Sequence, residues 1–447
     1  MKLARSLIFC MAIMVIGHVA KAQSSPAQAF DNVTIHIADG QTIESGTIVW
    51  RNGVIESVGS NVNIPFDAYT IDGGDSLHVY PGFVDGMALW GSPDLPDRYE
   101  EPDRPGEPGY ERAGVQPQRK PSELLKTDDK ALTEAQKSGF TTAALGLKGQ
   151  MLPGQVDLFF INGKETDEYL MQSGVGMLAS LENAPGGFGS GAYPSTRMGV
   201  LAEYRQLWYD ATALQDHIAY FASASSDYPA PKKNEVLEAL FPVLNGDQPL
   251  YFIADTKQDI EVVLDLQDNL GFEMVLVSGK EAYTLADELK NREIPVLASI
   301  DLPEKPKWKV EQEKAEKDTT EEVKEIEEIT EEMRVFRERQ LEAYKADIEN
   351  IQKLIDAGVK VGYASNGMKI SDFSKHLNTL AEETGLDESQ LLSMITQNTA
   401  EILKVGSRVG DITDGRIASF SVFSDTFLTD EVKVMYSVSA GELTEIE

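Results

Sequence analysis

Seven polar residues end or follow predicted strands in the middle of the chain, and their types could do chemistry. They are Asp85, Glu182, Asp255, Ser278, Lys280, Ser365 and Asn366. Carboxylates serve as general acids or bases and hold divalent cations, and a desolvated lysine can act as a base. Structural alternatives remain: Asp85 can brace its strand through hydrogen bonds, and Lys280 can simply open a helix. The seven residues therefore predict a pocket without assigning a reaction to it.

Histidine, the commonest catalytic and metal-binding side chain, is scarce. The sequence has five histidines, of which His36, His78, His217 and His376 lie beyond the first 22 residues. Each fits a structural role on a strand or a helix, and no two have the spacing of a metal-ligand pair. The sequence also lacks a G-x-S-x-G elbow, a Ser-His-Asp set and an EF-hand loop. The Gly-rich loop 185–194 lacks the Lys-Ser/Thr ending of a phosphate loop, which leaves a mobile lid or a structural turn.

Residues 1–22 have the pattern of a secretory signal peptide. A basic start precedes an apolar run, and Ala20-Lys21-Ala22 forms an A-x-A cleavage site. Cys10, the single cysteine, lies inside this leader. We therefore expect an exported, soluble protein, periplasmic or secreted, whose mature form has neither thiol nor disulfide.

Charge and composition exclude several classes of protein. The chain has 40 basic and 73 acidic residues, a formal net charge of −33. This balance excludes a nucleic-acid-binding domain and opposes docking on an anionic membrane. An apolar content of 42% is ample for a packed core.

The elements that must position the seven residues alternate between strand and helix from residue 79 to residue 364. Helices are predicted at 122–138, 196–217 and 280–291, among others. So many βα units imply a parallel sheet closed into a (β/α)8 barrel of the TIM type, in which functional residues lie at the carboxyl ends of the strands. Both ends of the chain instead predict short strands, with a hairpin turn at Asn52-Gly53.

A charged insertion, residues 304–349, interrupts this alternation with 16 acidic and 10 basic residues. Its apolar residues recur at steps of three and four, which places one narrow apolar stripe along a helix. The stripe consists of Val323, Ile326, Ile329, Met333 and Phe336. A solvated helix over the barrel and a docking surface for a partner protein are both compatible with this pattern.

The segment Tyr80-Pro81-Gly82-Phe83-Val84-Asp85 follows the β-rich head and opens the predicted barrel. With the hairpin segment 48–59 and the tail segments 396–403 and 408–412, it resembles the amidohydrolase superfamily, in the branch of imidazolonepropionase-like, metal-dependent hydrolases. The matches follow the order of that family and cover nearly the whole chain after the leader.

The resemblance implies how the domains are organised. In that family, the two chain ends pair into a small β-sandwich beside a distorted barrel. The corresponding parts here are residues 23–80 and 401–447 for the sandwich and residues 81–400 for the barrel.

The resemblance also implies a divalent metal, usually zinc, whose bound water attacks a carbonyl carbon. The family's ligand positions include an H-x-H pair on the first strand, a fifth-strand histidine and an eighth-strand aspartate that accepts the proton. Here these positions hold Met87, Leu89, Ile253 and Asn366, and the sixth-strand segment 275–282 has no imidazole. A thioether binds zinc weakly, a hydrocarbon has no donor, and an amide cannot act as a base. We expect Met87, Leu89 and Ile253 to pack together at the barrel centre.

The sequence therefore predicts an exported protein of this fold that has lost metal-dependent hydrolysis and acts by binding. Its partner would be a small molecule, a second copy or an active amidohydrolase in a hetero-oligomer, and no cofactor is predicted. The alternative is an active hydrolase of C–N bonds in cyclic amides or peptides, with zinc or another divalent metal at a shifted or carboxylate-only site. A structural or polymer-binding module is a third hypothesis.

Overall fold

The strands of the protein form two sheets, one from both chain ends and one from the middle of the chain. The structure is a computed structural model that describes residues 25–96, 99, 103–104, 107–162, 169–186, 192–223, 229–317, 330–429 and 431–446. Within these ranges, no helix combines the length and the apolar composition needed to cross a membrane. The predicted signal peptide lies outside the described residues.

Five strands in the N-terminal part of the chain belong to the first sheet, called here the terminal sheet. They are β1 Gln28–His36, β2 Thr42–Arg51, β3 Val54–Gly59, β4 Tyr69–Asp72 and β5 His78–Pro81. Strand β1 pairs antiparallel with β2 and parallel with both β4 and β5. Asn52 and Gly53 have φ angles of 51° and 79° in the turn between β2 and β3. Such angles suit these two residue types, so the predicted hairpin turn is confirmed.

Eight strands from the middle of the chain form the barrel sheet and neighbour one another in chain order. They are β6 Phe83–Ala88, β7 Phe140–Leu145, β8 Gly154–Phe160, β9 Leu170–Ser180, β10 Leu250–Ala254, β11 Met274–Ser278, β12 Val296–Ala298 and β13 Val361–Tyr363. The first and last of them lie side by side, because a Cβ atom on Gly86 would sit 2.8 Å from the carbonyl oxygen of Tyr363. The sheet thus curls into a distorted barrel, as predicted.

The prediction of a parallel sheet is wrong at β8, which runs antiparallel to both β7 and β9. The chain passes from β7 to β8 through residues 146–153 only. A parallel crossover needs a connection of about a dozen residues or more, so the short link forces the chain to reverse.

Helices follow or flank the barrel strands. They are α1 Tyr110–Ala113, α2 Pro121–Leu124, α3 Lys130–Lys137, α4 Arg197–Ser223, α5 Glu235–Glu238, α6 Phe241–Leu244, α7 Lys257–Leu270, α8 Ala286–Asn291, α9 Lys307–Lys317, α10 Glu331–Ile348, α11 Asn350–Asp356, α12 Phe373–Glu383, α13 Glu388–Ser393 and α14 Thr399–Ile402. A single turn of π-helix, Met394–Asn398, joins the last two, and short 3₁₀ turns lie at Ala282–Leu285 and Ile370–Asp372.

Two predicted helices differ from the structure. The predicted helix 122–138 is divided into α2 and α3, because Leu125 is extended and the Asp129 side chain caps α3 by accepting from the Ala131 N–H. The predicted helix 280–291 begins as a 3₁₀ turn and becomes α-helical only at Ala286.

The charged insertion contains α9 and α10, which touch each other. Trp308 donates through its indole N–H to Gln340 at 3.1 Å, and the Arg337 guanidinium lies 5.2 Å from the centre of the Trp308 ring. Of the predicted stripe, Met333 and Phe336 are exposed, while Val323, Ile326 and Ile329 lie outside the described residues.

The last three strands return to the terminal sheet. They are β14 Phe420–Phe423, β15 Val434–Ser439 and β16 Glu442–Glu445, and β14 pairs antiparallel with β5. The rings of Phe30, Trp50 and Phe420 pack against one another in the core of this unit, with centroid distances of 5.2 to 6.1 Å. Phe30 and Trp50 are stacked, and Phe420 meets both edge-on. The two chain ends therefore complete one β-unit, as the resemblance implied.

Candidate functional site

The site predicted from the sequence lies where β6 meets β13. Asp85 is fully buried on β6, and its Oδ1 accepts hydrogen bonds from the N–H groups of Met87, at 3.0 Å, and Ser365, at 3.1 Å. The N–H of Asn366 donates to the Met87 carbonyl at 2.9 Å. Asp85 therefore joins the first barrel strand to the segment after the last one, which is the bracing role considered for it above.

Burial also sets the charge state of this carboxyl group. Desolvation raises the pKa of Asp85 to about 7, although the Ser365 side chain and the N–H groups of Ser365 and Met87 act to lower it. The neighbouring Tyr363 is buried as well, and burial together with the Asp85 charge raises the pKa of its hydroxyl. The carboxyl group is buried, and both of its oxygens already accept hydrogen bonds from backbone N–H groups. It is therefore poorly placed to bind a metal ion.

The three apolar residues at the implied ligand positions share one hydrophobic cluster inside the barrel. Met87 is completely buried, and Leu89 and Ile253 are partly buried against that cluster. A Cβ atom on Gly146 would lie 3.1 Å from Met87 Sδ and 3.6 Å from Leu89 Cδ2, so the absence of a side chain there makes room for both residues. The structure thus places Met87, Leu89 and Ile253 in one hydrophobic cluster, as expected, and the assignment of these residues to the family's metal position stays a prediction.

Four further predicted residues lie at the carboxyl ends of β10, β11 and β13. Asp255 has a buried Oδ1 without a hydrogen-bond partner in the described chain. The buried Ser365 hydroxyl lies beside the Asp85 carboxyl and acts to lower the pKa of that group. Ser278 is buried with a φ of 74°, and Asn366 has a φ of 39°. These positive φ angles turn the chain away from the strand and place both residues at the barrel mouth.

Lys280 forms an ion pair that the sequence analysis missed. Its Nζ lies 3.1 Å from Oδ2 of Asp301, and both side chains are exposed. Since the ammonium group is in solvent and paired with a carboxylate, Lys280 is not the desolvated base considered above. Asp301 follows β12 closely, so the rule that selected the other strand-end residues could also have found it.

Glu182 lines a separate cavity of about 390 Å³ beyond the end of β9. Gln150, Asn183 and Arg197 also line it, and Arg197 pairs with Asp259 at 2.6 Å. Partial desolvation raises the pKa of the Glu182 carboxyl. The cavity presents a carboxylate, two amides and a guanidinium, which suits a small polar ligand better than an apolar one.

The four described histidines do not converge on the barrel mouth. His217 is on α4 and His376 on α12, whereas His36 and His78 meet in the terminal sheet, with Nε2 and Nδ1 3.0 Å apart. Burial, and then the neighbouring His78, lower the pKa of His36 to about 4. The pairing of β1 with β5 brings these two residues together although they are 42 positions apart, which the sequence analysis missed.

The residues at the implied metal positions do not fit the metal. In the part of the chain that the structure describes, no group of three or more His, Cys, Asp or Glu side chains is arranged to hold an ion. At the barrel centre, the positions of the implied first-strand and fifth-strand imidazoles are occupied by a thioether and hydrocarbon. We therefore derive no chemical step through a metal.

Known sequences and structures resemble the chain to different extents. The sequence model of the amidohydrolase family matches residues 273–443. No curated protein matches the sequence significantly.

Solved structures share the fold over almost the entire chain. An amidohydrolase from Thermotoga maritima MSB8 has a TM-score of 0.74 at 21% identity, with 94% of this chain and 100% of that chain covered. A prolidase complexed with N-methylphosphonate-L-proline has a TM-score of 0.53 at 16% identity, over 94% and 100% of the two chains. A triazine hydrolase from Arthobacter aurescens has a TM-score of 0.52 at 15% identity, over 94% and 95%. The chain therefore shares the fold of these hydrolases over almost its whole length, and its C-terminal part, residues 273–443, matches the amidohydrolase family.

Proposed function

We propose that this protein is an exported member of the amidohydrolase superfamily that does not catalyse metal-dependent hydrolysis and acts by binding. One observation carries the proposal: Met87, Leu89 and Ile253 pack in one apolar cluster where the resemblance implies imidazole ligands. Hydrolysis in this manner needs a Lewis acid and a base near neutral pH. A thioether, two hydrocarbon side chains and the amide of Asn366 supply neither.

The polar groups that remain at the barrel mouth support binding of a small polar molecule. Asp255 has a buried oxygen without a partner in the described chain, and such a group is costly unless something hydrogen-bonds to it. The cavity beside Glu182 offers both signs of charge. We place the ligand at this end of the barrel, where functional residues of TIM barrels lie.

The alternative, an active C–N hydrolase with a carboxylate-only metal site, requires several free acids converging on one point. Asp85 is engaged by backbone N–H groups and Asp301 by Lys280. This arrangement favours binding over the alternative, and the same experiment tests both.

The test is a metal analysis of the full-length, untagged protein purified from cells grown with added zinc, manganese and iron. We expect substoichiometric metal, together with no amide hydrolysis that a chelator abolishes. A tightly held stoichiometric ion whose removal abolishes hydrolysis would overturn the proposal.

Two variants make this measurement specific. His36→Asn/His78→Asn removes the imidazole pair of the terminal sheet, so any zinc lost with it was bound there and not in the barrel. The fourfold variant Met87→His/Leu89→His/Ile253→His/Asn366→Asp restores the implied donors and is expected to bind zinc while the native protein does not. Circular dichroism verifies that each variant is folded.

Export through a cleaved leader is part of the proposal. Mass spectrometry of the mature protein recovered outside the cytoplasm should place its N-terminus at Gln23. A mature protein that retains Met1 would contradict export by this route.

A further inference from the structure

Helix α4 has apolar residues on two opposite faces. One face packs into the barrel core through buried residues such as Val200, Tyr204 and Leu207. On the other face, Met198, Tyr209 and Tyr220 are 82%, 65% and 53% exposed. A surface helix normally places polar side chains opposite its buried face, so these three residues require an explanation.

The three exposed residues form a straight row. Met198 and Tyr220 each lie eleven residues from Tyr209, and eleven residues are close to three turns of helix. The row therefore follows one side of α4 for roughly 33 Å, at 1.5 Å per residue. Four residues fill the gaps on the same side, and the full row, called here the α4 row, is Met198, Ala202, Arg205, Tyr209, Ala213, Asp216 and Tyr220.

The α4 row differs in charge from the rest of the molecule. It contains one base and one acid and is neutral, while the whole chain has a net charge of −33. Exposed aromatic and methionine side chains with few charges are typical of the centre of a protein interface. The C-terminal half of α4, residues 212–223, has no fully buried side chain, and it is joined to the rest of the molecule by half-buried residues such as Leu214 and by the Gln215–Asn245 hydrogen bond.

The row is complementary to itself. If a second α4 lies antiparallel, with the two-fold axis passing beside Tyr209, then Met198 of each copy faces Tyr220 of the other and the two Tyr209 rings meet. A symmetric dimer requires a surface that is complementary to the same surface on a second copy rotated by 180°.

The charges of the row fit the same arrangement. Arg205 is four residues before Tyr209 and Asp216 is seven after it, so in antiparallel pairing they differ by three residues, about 4.5 Å along the axis. An arginine side chain spans that distance. Neither residue forms an ion pair within the described chain, where Arg205 makes only a long contact, 3.4 Å, with the Leu201 carbonyl. Two equivalent ion pairs would form between the copies.

We propose that the α4 row is the contact between two copies of this chain, arranged antiparallel about a two-fold axis at Tyr209. One helix row covers less than the roughly 800 Å² per partner of a standard interface, so the surrounding surface must contribute and we expect a dissociation constant in the micromolar range. This contact is independent of what the barrel binds.

Cysteine cross-linking tests the two-fold axis directly. In a Cys10→Ser background, Tyr209→Cys carries the sole thiol, and two such thiols at the axis are close enough to form a disulfide. We expect rapid oxidation to a covalent dimer. Tyr69→Cys is the matched control, because Tyr69 is 64% exposed on the terminal sheet and should remain monomeric. Equal rates for the two variants, or no dimer from Tyr209→Cys, would overturn the proposal.

Charge reversal tests the register. In sedimentation equilibrium over a concentration series, Arg205→Glu should weaken the dimer by about tenfold, roughly 1.4 kcal/mol, and adding Asp216→Lys should restore it. Arg339→Glu, a reversal on the exposed surface of α10, should leave the dimer unchanged. A native protein that is monomeric at every concentration, or a double variant that remains as weak as the single one, contradicts this pairing.

Discussion

At the residue scale, the contacts inside the barrel could be predicted from the sequence, whereas the contact between the two histidines of the terminal sheet could not. Met87, Leu89 and Ile253 could be placed together because strand alternation and the order of the family's motifs determine which side chains face inward. The contact of His36 with His78 could not, since it depends on which strands of the terminal sheet become neighbours. Nothing in the local sequence of β1 identifies β5 as its partner.

The histidine pair makes the stability of the terminal sheet depend on pH. Burial holds the pKa of His36 near 4, below its ordinary value of 6.5, so the folded state favours the neutral ring. Its contribution is complete above about pH 6.5 and is lost as the pH falls toward 4. The groups around it are His78, which shares the hydrogen bond, and Tyr80, which stacks at 4.1 Å and donates its hydroxyl to Glu388.

We therefore expect the native protein to lose about 1–2 kcal/mol of unfolding free energy through His36 between pH 6.5 and pH 4.5, allowing for partial solvent screening. His36→Asn should lack this loss. Urea unfolding at several pH values measures it, with His217→Asn on α4 as the control. The same pH slope in native protein and His36→Asn would disprove the role of the pair.

At the element scale, the existence and type of most strands and helices could be predicted from the sequence. The prediction was wrong where the length of a connection determines whether a strand runs parallel or antiparallel to its neighbour. The reversal at β8 follows from the short link through residues 146–153, which a pattern of apolar runs does not reveal. The division between α2 and α3 follows from a cap at Asp129. Caps and connection lengths are local features, and closer attention to them would have corrected both elements.

Helix α13 shows how strongly such a cap should act. Asp387 Oδ1 accepts from the Gln390 N–H at 2.8 Å, and Gln390 Oε1 accepts from the Asp387 N–H at 3.0 Å. Asp387→Ala removes one side of this capping box and should reduce the unfolding free energy by about 1 kcal/mol. Asp372→Ala, at the start of α12 where the side chain makes no cap bond, should change it by less than about 0.5 kcal/mol. Equal effects in chemical denaturation would show that the capping box is not stabilising.

At the scale of the whole molecule, charge is the property most securely known from the sequence. With 73 acidic and 40 basic residues, the folded chain repels itself, and the many exposed ion pairs offset little of this. The identity of the ligand, by contrast, cannot be predicted from the sequence. It depends on cavities such as the one beside Glu182, which is lined by residues that are far apart in the chain.

Because the excess negative charges repel one another, added salt should raise the stability of the folded protein. Raising NaCl from about 0.01 M to about 0.1 M shortens the Debye length from about 30 Å to about 10 Å. We expect Tm to rise by about 1 °C, equivalent to roughly 1 kcal/mol for a chain of this size. Calorimetry at fixed pH checks this, with KCl at equal ionic strength as the control. A Tm that falls with salt would mean that attractive pairs outweigh the net charge.

The closure of the terminal sheet by β14, β15 and β16 has a consequence for biosynthesis. Strands β1 to β5 are synthesised long before β14. Until β14 has been made, one edge of β5 has no strand to pair with. A nascent chain therefore cannot complete this sheet before residues 420–423 have been made, and such a delay would suit the export that we propose. Any truncation before residue 420 should leave that edge open to pairing with other chains, and such fragments are the ones we expect proteases to clear first.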